Sequence, residues 1–533
     1  MKNSLFLTTL SALSALVAGS STGSSSSTSA TPSADSVAPI KLAFEKSHGS
    51  SYEKSTHERG DVEANVTNQQ TFYSVQLAVG SPGQNITVLL DTGSSDLWVT
   101  GKGNPYCKSN SKSKSKTKSK TQSKTQSKNK RDELQSLLSL LSALEPTTTL
   151  EPTGSVSGSD IPYWSWSGIP TGSGSGSAAP AVSVTPTATM DCSLGTFDTS
   201  KSKSFKSNHT SFYITYGDLS FASGIWGTDH IGLGNVTLAN VSFAVANKTN
   251  SSVGVLGLGL PEDESTYSTD SSQKSSSRYE YYNFPSVLKQ NGLIQKTVFS
   301  LYLNSSNSSY GNILFGAVDH SKYSGQLYTV PLLNPDTKSY PHPVEFDVTL
   351  HGVGFTNGTS KSTFTTTPIP ALLDSGTTLM YLPSELAEQI ADKLGGQYDD
   401  DIGYFMIPCP SDDDDSKLVY DFGGFEIATN LSNYVLQSSD TSYAEDTQCV
   451  LGILPSDVEA ILGDVFLVDA YVVYNLEDYE ISLAQASYDN KKEDIELVTS
   501  KVPSATKAPG YSSTWSAQSY STGGNMFTTT SKR

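Results

Sequence analysis

Leu89-Leu90-Asp91-Thr92-Gly93-Ser94-Ser95 and Leu372-Leu373-Asp374-Ser375-Gly376-Thr377-Thr378 are the two stretches that decide the fold. Each sets one aspartate after an apolar strand and before a turn of small, mostly hydroxylated residues. One Asp-Thr-Gly alone says little, because a chain of this length contains it by chance about a tenth of the time at average residue usage. Asp and Gly are also favoured at any strand-ending turn. Two copies with matching flanks read instead as an internal duplication that brings two carboxylates together by pseudo-twofold symmetry.

Two carboxylates held close cannot both ionise, so one keeps a proton while the other stays charged. The charged member can take a proton from a water held between them, and the protonated member can polarise a substrate carbonyl. Asp91 and Asp374 are therefore the catalytic candidates. The chemistry requires no metal, cofactor, nucleophilic serine or cysteine, and none is expected. Gly93 and Gly376 allow close backbone approach, and Ser94 and Thr377 can donate hydrogen bonds that fix each carboxylate. Thr92 and Ser375 complete the two supporting turns.

From about Thr71 to Ala486 the chain resembles the pepsin-like aspartic proteases. Val88 to Val99, with Trp98, resembles that family's first active-site strand. Tyr216-Gly217-Asp218, ahead of Ser220 and Gly224, resembles the flap hairpin, which would make Tyr216 the flap tyrosine. Val255-Leu256-Gly257-Leu258-Gly259 and Ile461-Leu462-Gly463-Asp464 resemble the paired strands that cross behind the aspartates. Gly311-Asn312-Ile313-Leu314-Phe315-Gly316 resembles the strand entering the second lobe. The resemblance implies a mostly β, bilobal pepsin-like fold that hydrolyses peptide bonds. Alternating runs such as Phe72 to Leu77 and Tyr471 to Tyr474 read as strands by themselves. The clearest helical patterns cover Phe284 to Gly292 and Pro383 to Leu394.

The two halves differ in length. Asp91 lies 166 residues before Gly257, whereas Asp374 lies 89 before Gly463, and Cys107 and Cys192 bracket an 85-residue step in the longer half. A long inserted loop, 108–191, accounts for the excess. Such a loop, closed by cysteines and carrying a basic site, resembles the yapsins, yeast surface proteases of the pepsin family. Thr67 to Val75, Phe315 to Tyr323 and Lys507-Ala508-Pro509-Gly510-Tyr511 support that likeness. Four cysteines suggest two disulfides formed in an oxidising compartment, with three pairings open. The yapsin resemblance implies Cys107 with Cys192 and Cys409 with Cys449. No Cys-x-x-Cys spacing occurs and the seven histidines are scattered, which argues against a metal site.

The organisation that follows is a signal peptide (1–20), a pro-segment (21–60), an N-terminal catalytic lobe (61–315), a C-terminal catalytic lobe (316–490) and a Ser/Thr-rich tail (491–533). Lys2 followed by an apolar stretch from Leu5 to Ala18 is a secretory signal, too short to span a membrane. Eleven Asn-x-Ser/Thr sequons fit passage through the secretory pathway. Yapsins commonly carry a hydrophobic C-terminal signal for a glycolipid anchor, and Asn525-Met526-Phe527 does not supply one. A secreted, extracellular or wall-associated protein is expected. The pro-segment also departs from the yapsin pattern, ending at Arg59-Gly60 and not at a Lys-Arg pair.

Lys102 to Arg131 carries eleven basic residues and no acidic one, interleaved with Ser and Thr. That pattern reads as a solvated strand, without the aromatic partners of a nucleic-acid surface. It ends at Lys130-Arg131, a dibasic processing site. Leu134, Leu137, Leu138, Leu141 and Leu144 after it fall on one face of a short docking helix. Cleavage there would leave two chains joined by a disulfide in an otherwise monomeric protein.

Net charge is −18, or −29 outside the basic run. Solubility in an acidic medium explains this as well as attraction of basic peptides does. Asp218 is the best-placed carboxylate to meet a substrate lysine or arginine, with Asp96 next. The Asp412–Asp415 run reads as a solvated loop. The leading function is an aspartic endopeptidase acting on peptide or protein substrates after basic residues, in precursor or wall-protein processing. A catalytically silent pepsin-like binding protein and a wall mannoprotein are the alternatives; the intact pair of aspartates with Tyr216 argues against the first, and the ordered two-lobe pattern against the second.

Overall fold

Alternation in the first predicted strand is realised as β2 (Thr71–Val79), which buries Tyr73, Val75, Leu77 and Val79 and turns Gln76 to solvent. The computed structural model describes residues 39–48, 71–107, 190–217, 220–234, 236–266, 280–358, 360–400, 403–436, 448–489 and 492–527. The signal peptide, most of the insertion with Lys130, Arg131 and the leucine-rich segment, and Asp218 lie outside the described residues. Strands dominate.

The duplication is visible strand by strand. In the first half β3 (Gln84–Asp91) ends on the aspartate and runs parallel to the strand Gly254–Gly257, pairing Asp91 with Gly257. β4 (Leu97–Thr100) then returns antiparallel to Gly254–Gly257. In the second half the strand Ile369–Leu373 runs parallel to Ala460–Leu462, and Met380–Pro383 returns antiparallel to it. Gly257 and Gly463 sit where these strands cross. A Cβ on Gly257 would lie 2.5 Å from the Asp96 backbone nitrogen, and one on Gly463 would lie 2.1 Å from the Leu379 carbonyl oxygen. Only glycine permits that approach.

The two halves share a 14-stranded sheet. At its middle lies β1 (Ile40–His48), antiparallel both to β2 and to the strand Tyr310–Phe315. Phe44 of β1 is fully buried, edge-on to Tyr73 at 5.2 Å between ring centroids. β1 belongs to the segment read as a pro-segment, so its removal would take out the strand that joins the two halves of this sheet. Both predicted helices form. Phe284–Gln290 is capped by Asn283, whose side chain accepts from the Ser286 amide, and it buries Phe284, Val287 and Leu288. Ser384–Lys393 buries Leu386, Ala387, Ile390 and Ala391 at helical spacing. The disulfides are Cys107–Cys192, closing the base of the insertion, and Cys409–Cys449.

Residues read as a Ser/Thr-rich tail lie against the second half as a strap. Ile495–Leu497 pairs with Ala317–Asp319, and Ala505–Lys507 extends the large sheet in parallel with Leu327–Thr329. Val498, Val502 and Ala508 are buried. Farther along, the Trp515 amide donates to Thr349 Oγ1 at 2.9 Å, and the Met526 amide donates to Thr363 Oγ1 at 3.1 Å. Apolar anchors at intervals, with backbone hydrogen bonds between them, make the strap part of the folded unit. Val498→Ala should therefore lower unfolding stability by about 1–2 kcal/mol, the scale of partly uncovering a buried valine. Denaturant titration would read this as a lower midpoint with an unchanged slope. A midpoint equal to the parent's would show that the strap is not part of the cooperative unit.

Candidate active site

Asp91 leaves β3 and Asp374 leaves Ile369–Leu373 at equivalent points, and each is almost fully buried. The residue after each aspartate reaches across to the other half. Thr92 Oγ1 donates to the Leu373 carbonyl at 2.9 Å, and Ser375 Oγ donates to the Leu90 carbonyl at 3.0 Å. The Ser375 amide donates to Thr92 Oγ1 at 2.9 Å, and the Thr92 amide to Ser375 Oγ at 3.3 Å. Two short hydroxyl side chains thereby close a reciprocal ring of four hydrogen bonds between the halves, with its polar groups satisfied although buried.

Each carboxylate then receives the same two local donors. Asp91 accepts from the Gly93 amide at 2.9 Å and from Ser94 Oγ at 2.5 Å. Asp374 accepts from the Gly376 amide at 2.7 Å and from Thr377 Oγ1 at 2.5 Å. The glycines face the opposite aspartate. A Cβ built on Gly93 would lie 2.6 Å from Asp374 Cγ, and one on Gly376 would lie 2.3 Å from Asp91 Oδ1. The two carboxyl groups are thus pressed together, each against the other's turn. Burial first, and the Asp374 charge second, push the Asp91 carboxyl up to about 8, against the donors from Ser94 and Gly93. Held this close, two carboxyls resist ionising together, and the raised Asp91 keeps its proton where an exposed carboxylate would lose it. Such a pair can act as acid and base at once.

Tyr216 sits at the start of the turn joining β5 (Lys206–Thr215) to β6 (Phe221–Leu233). Trp98 Nε1 donates to its hydroxyl at 2.7 Å. The hairpin predicted as the flap is thereby tied to the strand that follows the first aspartate.

Asp96 does not face substrate. It is 1 % exposed, its Oδ1 accepts from the Tyr281 hydroxyl at 2.6 Å, and its Oδ2 accepts from the Ser265 amide at 3.1 Å. Burial raises its pKa. The same stretch places Asp96 one strand turn past the dyad, but its side chain turns inward to anchor the segment around Tyr281. Asp412 to Asp415 are exposed, as a solvated loop would be.

Four carboxylates near the dyad escaped the sequence reading. Asp263 follows the first crossing strand, and Glu459 precedes the strand Ala460–Leu462. Glu345 and Asp347 flank the start of Asp347–Leu350, which pairs with the Asp374 strand. Burial and then Asp374 push Glu345 up to about 7, and burial with neighbouring carboxylates raises Asp263 and Glu459 well above the usual range. The available signal was position: Pro261-Glu262-Asp263-Glu264 and Glu459 lie immediately beside the two apolar-glycine strands.

Residues 72–136 and 171–486 match the family model of the eukaryotic aspartyl proteases. The chain belongs to that family and is an aspartic-type endopeptidase, which acts on peptide or protein substrates. Within it the chain groups with the yapsins. It is 48 % identical to aspartic proteinase 3 of Saccharomyces cerevisiae, covering 93 % of this chain and 86 % of that one. It is 43 % identical to aspartic proteinase yapsin-3 of the same yeast, covering 92 % and 81 %. The aspartic proteinase of Irpex lacteus superposes with a TM-score of 0.52 at 16 % identity, covering 85 % of this chain and all of that one, and so shares the fold.

Proposed function

We propose that this endopeptidase is secreted or held at the cell surface, uses Asp91 and Asp374 as its catalytic pair, and cleaves after lysine or arginine in precursor or wall proteins. The observation that carries the assignment is the mutual packing of the two carboxyls, each against the glycine of the opposite turn. A water between them loses a proton to the charged carboxylate and attacks the scissile carbonyl. The protonated carboxyl donates to the developing oxyanion, and proton return to the leaving amine completes hydrolysis. Tyr216, on the hairpin near Trp98, is the residue we assign to covering the bound peptide.

Support for an extracellular setting comes from the two disulfides, which persist in oxidising compartments. No helix among the described residues is long and apolar enough to cross a membrane. Support for a basic preference comes from the acidic balance of the chain and, by position, from Asp218 beside Tyr216. We also assign Lys130-Arg131 as a processing site. Protein from culture fluid should then give one band on non-reducing gels and two on reducing gels, since Cys107–Cys192 spans the cut. A single band under both conditions contradicts that assignment.

Asp91→Asn and Asp374→Asn should each lower kcat/KM by at least about 10⁴-fold, the upper range for general acid–base contributions, with unfolding midpoints near the parent's. Because Asp91 is raised to about 8, the parent's activity should fall as pH rises through that region, where the shared proton is lost. Residual turnover within tenfold of the parent in either variant would remove the pair from the mechanism.

A further inference from the structure

Among the sequons whose three residues are all described, Asn208-His209-Thr210 alone is exposed throughout. It lies on β5, where the ladder to β6 shifts register between Ser207 and Ser211. The bulge carries His209 in the left-handed region at φ 61°, a conformation rare outside glycine. Asn208 Oδ1 accepts from the Thr210 amide at 3.0 Å and from Thr210 Oγ1 at 2.7 Å. This turn holds the hydroxyl against the carboxamide, and those two bonds to Oδ1 are the ones the side chain makes among the described residues. Nδ2 is left to solvent. Two other sequons are built differently. Asn430 Nδ2 donates to Asp469 at 3.4 and 3.5 Å, and Asp469 is buried. Asn304 Nδ2 donates to Ser308 Oγ at 2.9 Å and to the Tyr310 carbonyl at 3.2 Å.

The position of the bulge gives the site a purpose. β5 is the terminal strand of the 14-stranded sheet, paired with β6 on one side and with no strand on the other among the described residues. A strand of ten residues with an open edge invites a second strand to add to it. Folded proteins commonly block such edges with charged side chains or proline. From Ser207 to Thr215 the strand carries no Lys, Arg, Asp, Glu or Pro, and Tyr213 is 64 % exposed. The bulge is the one blocking feature the strand has of its own.

We infer that Asn208 carries an N-linked oligosaccharide that shields the open edge of the flap hairpin from strand addition. The inference rests on the secretory reading above. In the secretory pathway the amide nitrogen of Asn208 bonds to the anomeric carbon of an oligosaccharide carried on a lipid diphosphate. The lipid diphosphate leaves with the bonding electron pair, and the amide gives up one proton. An added strand would have to lie about 4.8 Å from β5. A bulky, hydrated sugar rooted on the bulge sweeps that space, and it supplies the hydrophilic cover that the strand's own side chains lack. The flap tip is left clear, because Tyr216 lies six residues beyond Thr210, about 20 Å along an extended strand. The sequons at Asn304 and Asn430 stay bare, since their amide nitrogens are held within the fold.

The test uses the full-length protein secreted from a yeast host. Amidase release of the sugars converts each carrying asparagine to aspartate, and peptide mass spectrometry reads which sequons changed. Asn208 should be converted, and Asn304 and Asn430 should not. Thr210→Ala should leave Asn208 bare, and Thr210→Ser should restore the sugar. Asn208→Gln is then compared with the parent by sedimentation and by kcat/KM on a short peptide. The variant should form dimers and larger species at concentrations where the parent is monomeric, with the parent's kcat/KM. Sugars on other sequons with Asn208 bare would overturn the inference and leave the secretory reading standing. Sugar on no sequon at all would fail that reading and the inference with it. An occupied Asn208 whose loss leaves the variant as monomeric as the parent would refute the shielding of the edge.

Discussion

The ring of hydrogen bonds between Thr92, Ser375 and the carbonyls of Leu90 and Leu373 is the constraint on which the rest depends. Two carboxyl groups repel once ionised, and burial raises the cost of charge further. The strands that carry them come from different halves of the chain and have no reason of their own to meet. Crossing two hydroxyls between the halves fixes their separation through backbone atoms, which cannot relax as side chains do. Ser94 and Thr377 then orient each carboxylate, and the glycines allow the final approach. The raised Asp91 carboxyl follows first from burial and second from the charge of Asp374 held beside it.

The halves are kept in place by more than the ring. β1 lies between β2 and Tyr310–Phe315, so one continuous sheet runs through both halves. The strap from 492 to 527 adds a second brace, pairing with Ala317–Asp319 and Leu327–Thr329. Its Trp515 amide reaches Thr349, in the strand that begins with Asp347 and pairs with the Asp374 strand. Segments distant in sequence thus converge on the strands flanking Asp374, and the rigidity they supply is what a site built from fixed donors requires.

Much of the site was legible because its residues sit in local motifs. The Asp-Thr-Gly and Asp-Ser-Gly turns, Trp98 and Tyr216 each declare themselves within a dozen residues, and the apolar-glycine strands complete the pattern. Both disulfides followed from the yapsin resemblance, and both helices from their periodicity. The remainder depends on pairings that no local pattern encodes. Nothing in Ile40–His48 says that it is a central strand, because its apolar alternation would serve any sheet. The strap is mostly polar and is held by scattered anchors such as Val498, so its composition reads as a linker. Asp96 looked available because aspartates near a dyad are natural candidates, yet Tyr281, 185 residues away, turns it into the core. Glu345, Asp347 and Glu459 become one group only after the two strands flanking the Asp374 strand align.

The most direct test of the central claim is the alkaline limb of kcat/KM against pH in the double variant Thr92→Val, Ser375→Ala, which removes both crossing hydroxyls and leaves both aspartates. With the ring gone the carboxyls should part and take up water. The pH at which activity halves should then fall by at least about one unit from the parent's, and kcat/KM at pH 5 should drop about 10²-fold, the scale of an ångström-level misplacement. A double variant with the parent's alkaline midpoint and the parent's kcat/KM would show that the hydroxyl ring does not set the proton shared by the pair.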